Sequence, residues 1–283
     1  MRQTLTAMLA GLLLLSALPA ADKPAAPNEQ LEALKEEAEK SRAEFNQAYE
    51  KAKTDKERQE LRDQNNKQIN ACARRALELA KKHPKDPVAV DALSWIVTDT
   101  GWVRAAAEIE AAFDLLRKDY ITSDNLQRVC FFAYIYNNTS TKPEQLLRAI
   151  LEKNPHREIQ AHASYYLALA LAQQASWAKR LHDPAQAKQW EQGFIKRIEV
   201  LDPDKLLKEE EELFERIVSK YGDVKTNSGR TFSEIAKAAL FEMRYLVVGR
   251  VAPEIEGEDI DGKRFKLRDY RGKVVVLDFW GNW

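Results

Sequence analysis

The sequence predicts a mainly α chain: an array of helical hairpins that gives way, after Gly249, to the β-rich opening of an α/β domain. Three observations carry this. Helix starts are marked repeatedly by a capping side chain before a proline or a glutamate. Glycine and proline number only ten each in 283 residues, which favours long helices over tight turns. Downstream of Gly249 the pattern changes to short extended runs separated by turn residues.

The chain is long enough for two domains. Lys plus Arg and Asp plus Glu are 44 each, so no overall charge draws it to nucleic acid or to an anionic membrane. The first element is a targeting segment. Arg2 precedes the apolar run Ala7–Leu18, and the small residues Pro19-Ala20-Ala21 follow. That is the layout of a secretory signal, shorter than the roughly 20 apolar residues a spanning helix needs. Cleavage after Ala20 or Ala21 is expected, with no stable membrane span afterwards; an uncleaved anchor is the alternative. The expected location is therefore extracytoplasmic or periplasmic. Residues 1–20 are assigned to the signal, 21–30 to a linker, 31–249 to the helical domain and 250–283 to the final segment.

Residues 31–82 carry no Gly or Pro and hold a thin apolar stripe of Leu31, Leu34, Ala38, Phe45 and Tyr49. Thr54 with Glu57 forms a capping box, which splits the stretch into a hairpin of two helices. Further starts are read at Asp86-Pro87, Lys142-Pro143 behind Thr141, Asp183-Pro184, Asp202-Pro203, and Thr231 with Glu234. Val90, Leu93, Ile96 and Val97 share one helix face, as do Ile159, Ala163, Tyr166, Leu167 and Ala170. Phe131, Phe132, Tyr134 and Tyr136 read as core, with a binding surface as the alternative.

The helix ends repeat. Ala76–Pro84, Phe113–Tyr120, Arg148–Pro155 and Leu213–Gly222 are versions of one pattern, with end markers 36, 35 and 67 residues apart. Those steps approximate one, one and two units of about 34, the period of tetratricopeptide-type helix pairs. The W-x-x-L-G-x-x-Y consensus is missing, so the array is a degenerate version of that repeat. Such stacks expose a concave face suited to a protein partner.

Cys72 and Cys130 each sit in an apolar helical pattern and read as two buried free thiols. Export would permit a disulfide between them, which stays open as the alternative. His83, His156, His162 and His182 show no metal-ligand spacing, and no phosphate loop is present, so neither a metal nor a cofactor is expected. Asn137-Asn138-Thr139 matches a glycosylation sequon, which is discounted for a bacterial type of exported chain.

The last part is the most specific. Ala252-Pro253 precedes two short strands around Asp261-Gly262, a strong hairpin signal. Leu267–Gly272 reads as a short helix or turn. Val274–Leu277 reads as a central strand covered on both faces, leading into Asp278-Phe279-Trp280-Gly281-Asn282-Trp283. Residues 250–283 resemble the opening of the thioredoxin-like redoxins of the TlpA/ResA type, which are thiol–disulfide oxidoreductases. In that family the same strand runs directly into Cys-x-x-Cys. The resemblance implies a thiolate at a helix N-terminus that attacks a substrate disulfide, and a second cysteine that resolves the mixed disulfide. Trp280 and Trp283 would flank the reactive sulfur. Asp278 matches the buried aspartate of thioredoxin, where many relatives of this type carry Asn; buried, it would titrate high and shuttle the resolving thiol's proton. The partner implied is a protein disulfide or dithiol.

The Cys-x-x-Cys is expected immediately after Trp283, which makes residues 1–283 inactive by themselves. Two other readings stand beside this one. A peroxiredoxin-type peroxidase shares the first strands, but Trp280-Gly-Asn-Trp283 favours the disulfide-reductase branch. A non-enzymatic helical-repeat binding module with a vestigial β-tail is the other.

Overall fold

A computed structural model describes residues 25–100, 106–181, 183, 187, 188, 190–226 and 228–281. The signal, residues 21–24 of the linker, His182, Pro184 and Trp283 lie outside the described residues. The mainly α expectation holds: the described residues form ten α-helices and one two-stranded sheet.

The helices are α1 (Pro27–Lys51), α2 (Asp55–Lys82), α3 (Pro87–Asp99), α4 (Ala106–Asp119), α5 (Gln127–Ile135), α6 (Lys142–Lys153), α7 (Arg157–Leu181), α8 (Gln192–Ile198), α9 (Pro203–Lys220) and α10 (Phe232–Tyr245). Local side-chain caps start four of them where the sequence predicts. The Thr54 and Thr231 hydroxyls accept from the backbone N–H of Glu57 and Glu234, and each glutamate reaches back to its cap. The Asp86 and Asp202 carboxylates accept from the first-turn N–H groups of α3 and α9, each with proline at the first position. At α6 the proline stands second, and Thr141 makes no side-chain cap.

Two boundaries differ from expectation. The last four linker residues, 27–30, are helical, because Pro27 opens α1 and Glu29 accepts the Ala26 N–H at 2.9 Å. At the other end α10 stops at Tyr245, three residues before Val248.

Successive helices pair and the pairs stack. In one layer α2, α4 and α6 pack in sequence; in the other α3, α5 and α7 do so. The α9–α10 pair closes the stack, with α9 making the most extensive helix contact of the body against α7. One continuous core runs through it, with Ile69, Leu93, Phe113, Leu146 and Phe214 among its buried side chains. A separate small core of Ala178, Phe194 and Ile198, flanked by Trp177 and Trp190, seats α8.

The hairpin turns are tied to one another along one seam. The Tyr120 hydroxyl donates to the Pro84 carbonyl at 2.9 Å. The buried Asn154 amide donates to the Ile121 and Ser123 carbonyls at 2.7 and 2.8 Å. Arg157 donates to the Lys220 carbonyl at 3.1 Å, and the Tyr221 hydroxyl donates to Gln160 at 2.6 Å. The repeated helix-end motif therefore marks rungs of a side-chain ladder.

The aromatic cluster divides. Phe132 is core, Tyr134 and Tyr136 are half-buried, and Phe131 is 38% exposed beside Tyr166. The core expectation fails for Phe131 because it lies on the solvent side of α5. Asn137 is 2% exposed and bonded to the Ala170 carbonyl and to Gln174, so its amide nitrogen is not open to glycosylation.

The predicted central strand is not formed. Val274–Leu277 is irregular and exposed and pairs with neither strand of the sheet, which consists of β1 (Glu256–Glu258) and β2 (Arg264–Lys266) alone.

Candidate functional site

Residues 252–273 fold locally. β1 and β2 pair antiparallel with Glu256 opposite Lys266, Gly257 opposite Phe265 and Glu258 opposite Arg264. Alternation puts the charged pairs on one face and the apolar residues on the other. The charged face carries Lys266–Glu256 at 2.7 Å, Arg264–Glu258 at 3.4 Å and Arg268–Glu254. On the other face the Phe265 ring lies over Gly257, where a Cβ would meet the ring at 3.2 Å. Ile255 and Leu267 extend the pairing, with the Leu267 N–H donating to the Ile255 carbonyl at 2.9 Å.

The turn is built as Asp261-Gly262 requires. Gly262 has φ +76°, and Asp259 accepts from the N–H groups of Asp261 and Lys263 at 3.0 and 2.9 Å. A short 3₁₀ turn follows over Leu267–Tyr270, capped by Asp269 accepting the Lys266 N–H at 3.1 Å. Arg268 holds the Glu254 carboxyl below its usual range. Gly272, at φ +83°, then releases the chain into 274–281.

In that last stretch exposure alternates: Val274 is 97%, Val275 41%, Val276 87% and Leu277 48% exposed. The pattern is that of an extended segment with one face partly covered. Asp278 is exposed, so the burial on which its proton-shuttle role was predicated is not present. Trp280 is also exposed, at 83%, and Trp283 lies outside the described residues. Asp278 and Trp280 are thus exposed along the chain rather than gathered into a closed pocket.

The cysteines offer no substitute. Both are free and buried. Burial first, and then the Glu37 carboxylate, push the Cys72 thiol up to about 11; burial pushes Cys130 up as well. His83 closes α2 and His156 is exposed at the α6–α7 turn. His162 is packed between Tyr166 and Phe232, and burial lowers its pKa. Among the described residues no group of three His, Cys, Asp or Glu side chains can hold a metal ion, and no helix is long and apolar enough to cross a membrane.

Sequence reasoning missed the three acid–base pairs of the hairpin. Their signal was present: Glu254, Glu256 and Glu258 mirror Arg268, Lys266 and Arg264 about Asp261. It also missed two clefts in the helical body. One, of about 750 Å³, is lined by Arg42, Asn46, Arg62 and Asn65. The other, of about 400 Å³ between α6 and α9, has Leu151, Leu167 and Leu213 with Arg148 and Glu209 beside them.

Comparison with known proteins gives short local matches. The chain is 45% identical over 42 residues to the thiol–disulfide oxidoreductase ResA of Geobacillus thermodenitrificans (strain NG80-2), covering 15% of this chain and 24% of that protein. It is 51% identical over 35 residues to ResA of Bacillus subtilis (strain 168), covering 12% and 20%. ResA of Bacillus anthracis is 44% identical over 36 residues, covering 13% and 21%. The chain thus spans a quarter or less of the length of these relatives. No family profile matches the chain, and no solved structure matches it. The short matches support a thioredoxin-like, thiol–disulfide oxidoreductase kinship.

Proposed function

We propose that this chain is the exported helical part and the leading redox segment of a thiol–disulfide oxidoreductase of the TlpA/ResA type. The observation that carries the reading is the order within residues 252–281: Ala252-Pro253, a hairpin turned at Asp261-Gly262, a 3₁₀ turn, four apolar β-formers and then Asp278-Phe-Trp280. The short identity with ResA supports it.

In this reading the chain divides at Gly249. Residues 31–249, with α1 starting slightly earlier, form a tetratricopeptide-like array that holds a protein partner, and residues 250–283 open the redox domain. A Cys-x-x-Cys directly after Trp283 performs the exchange. Its first thiolate attacks the substrate disulfide, displacing one substrate sulfur as thiol. The second cysteine then attacks the mixed disulfide and releases the other, so the protein pair is oxidised as the substrate is reduced. Trp280 and Trp283 flank the reactive sulfur, and Asp278 moves the resolving proton once the completed sheet covers it. Cys72 and Cys130 take no part, since both are buried and their thiols are held protonated.

The test is an insulin-reduction assay on the parent protein that includes the residues after Trp283, beside residues 21–283 alone. The longer protein reduces insulin and the shorter does not. A longer protein that contains Cys-x-x-Cys and exchanges with no dithiol or disulfide defeats the proposal, as does activity in the shorter one.

A further inference from the structure

Helices α5 and α7 meet beneath an aromatic face. On α5, Phe131 is 38% and Ile135 43% exposed, with Tyr134 half-buried between them. Tyr165 and Tyr166 stand half-buried on α7. The rings form an unbroken chain. Phe131 meets Tyr166 with centroids 5.5 Å apart and planes at 62°, and Tyr166 meets Tyr165 at 5.1 Å and 63°. Tyr165 in turn meets Phe232, at the start of α10, at 5.6 Å and 60°. Rings tilted in this way leave slots between their faces, where coplanar rings would make a flat platform. Contiguous apolar surface left open to water marks an interaction site.

Two properties of the face define what fits it. The first is hydrogen bonding. The hydroxyls of Tyr134, Tyr165 and Tyr166 donate to no group among the described residues, so the apolar face is studded with free donors. The second is charge. Arg128, one turn before Phe131, pairs with Asp99 at 3.5 Å. At the α7 end the exposed Glu158 lies near His162 and the exposed Arg230 near Tyr165, two charges of opposite sign. These rim charges cancel in pairs, and none stands among the rings. The complementary ligand is uncharged, apolar and rich in acceptors.

We propose that this face seats a proline-rich segment of a partner protein, held as a polyproline II helix across α5 and α7. Such a helix has three residues per turn and no internal hydrogen bonds. Its apolar ridges enter the slots between tilted rings, its free carbonyls accept from the tyrosine hydroxyls, and its prolines bring no N–H to be left unpaired. The length also fits. Packed helices lie roughly 8–10 Å apart, so the strip from α5 across α7 to the start of α10 is about 20 Å long. About six residues of polyproline II, rising roughly 3.1 Å each, cover it. The inference rests on the reading of the helical array as the holder of a protein partner and adds the surface and the chemistry of that partner; it needs nothing from the redox segment.

Fluorescence anisotropy of fluorescein-labelled decaproline, titrated with the whole chain, tests this. Decaproline is expected to bind saturably and almost independently of salt, and a Gly-Ser decamer not at all. Phe131→Ser should weaken binding about fivefold or more. Tyr134→Phe combined with Tyr166→Phe, which keeps every ring and removes two donors, should weaken it about threefold or more. Failure of decaproline to bind overturns the proposal, and so does undiminished binding by either variant. If Phe131→Ser does not fold, the double tyrosine variant decides. Tighter binding of an amphipathic Leu-Lys helical peptide also overturns it, while leaving intact the reading of the array as a protein-binding body.

Discussion

Asn154 shows how much one side chain holds in this fold. It is 1% exposed, its amide donates to two carbonyls of the preceding turn, and its oxygen accepts the His156 N–H at 2.8 Å. Replacing it with alanine strands two carbonyls and one N–H in a site with little water. Asn154→Ala is expected to destabilise the chain by about 2–3 kcal/mol, read as a lower midpoint in urea with little change in slope. A loss below about 0.5 kcal/mol would show that water replaces the amide freely. Residues of this kind were half legible. The helix-end repeat pointed to position 155, but its sequence could not say that Asn154 reaches back to Ile121 and Ser123. Caps were fully legible, because Thr54, Asp86, Asp202 and Thr231 act on N–H groups two or three residues away. The start of α1 was missed for the converse reason: Ala26 has no side chain with which to announce a cap.

Among the elements, the terminal hairpin has the clearest internal logic. Three acid–base pairs mirror one another about Asp261, and Phe265 covers Gly257 on the opposite face. The pairs set register, because a slip of one residue would bring Phe265 to the charged face. Each is solvent-exposed and so only weakly stabilising. Glu254→Arg is therefore expected to speed amide exchange at Leu267 and Arg268; adding Arg268→Glu should restore the Leu267 amide but not that of residue 268, whose N–H loses its carboxylate acceptor. Lack of rescue at Leu267 would mean that the 254–268 charge pair does not hold the hairpin. Strand Val274–Leu277 was misread at this scale. Its apolar run is a real β signal, but a strand exists only through pairing with partners, and it pairs with neither β1 nor β2. For the same reason the motif around Asp278 and Trp280 was visible as a pattern while its geometry was not.

For the molecule as a whole, burial is uneven. The stacked pairs share one core, whereas no described residue after Leu240 is buried. Stability of a segment follows the apolar contacts it makes. Amides of 250–281 are therefore expected to exchange far faster than those of α2, α3 and α7, which hydrogen exchange followed by mass spectrometry measures directly. Protection equal to that of the helices would show that the body covers the segment in solution. The exposed run Val274–Trp280 also has the makings of an association-prone edge.

The turn ladder has a consequence for how such a chain is assembled from parts. Its rungs span 36 residues at Tyr120–Pro84 and 33 at Asn154–Ile121, then 61 at Tyr221–Gln160 and 63 at Arg157–Lys220. Between the third and fourth pairs the chain makes a detour through α8, which folds on its own small core, and the seam closes across it unchanged. That junction has the layout of a splice point, tied to the body by Arg197 on the Asn138 and Thr139 carbonyls. Lengthening the chain there is expected to leave the spacing on either side unchanged, so the modular unit is the seam contact and not the length of chain between contacts.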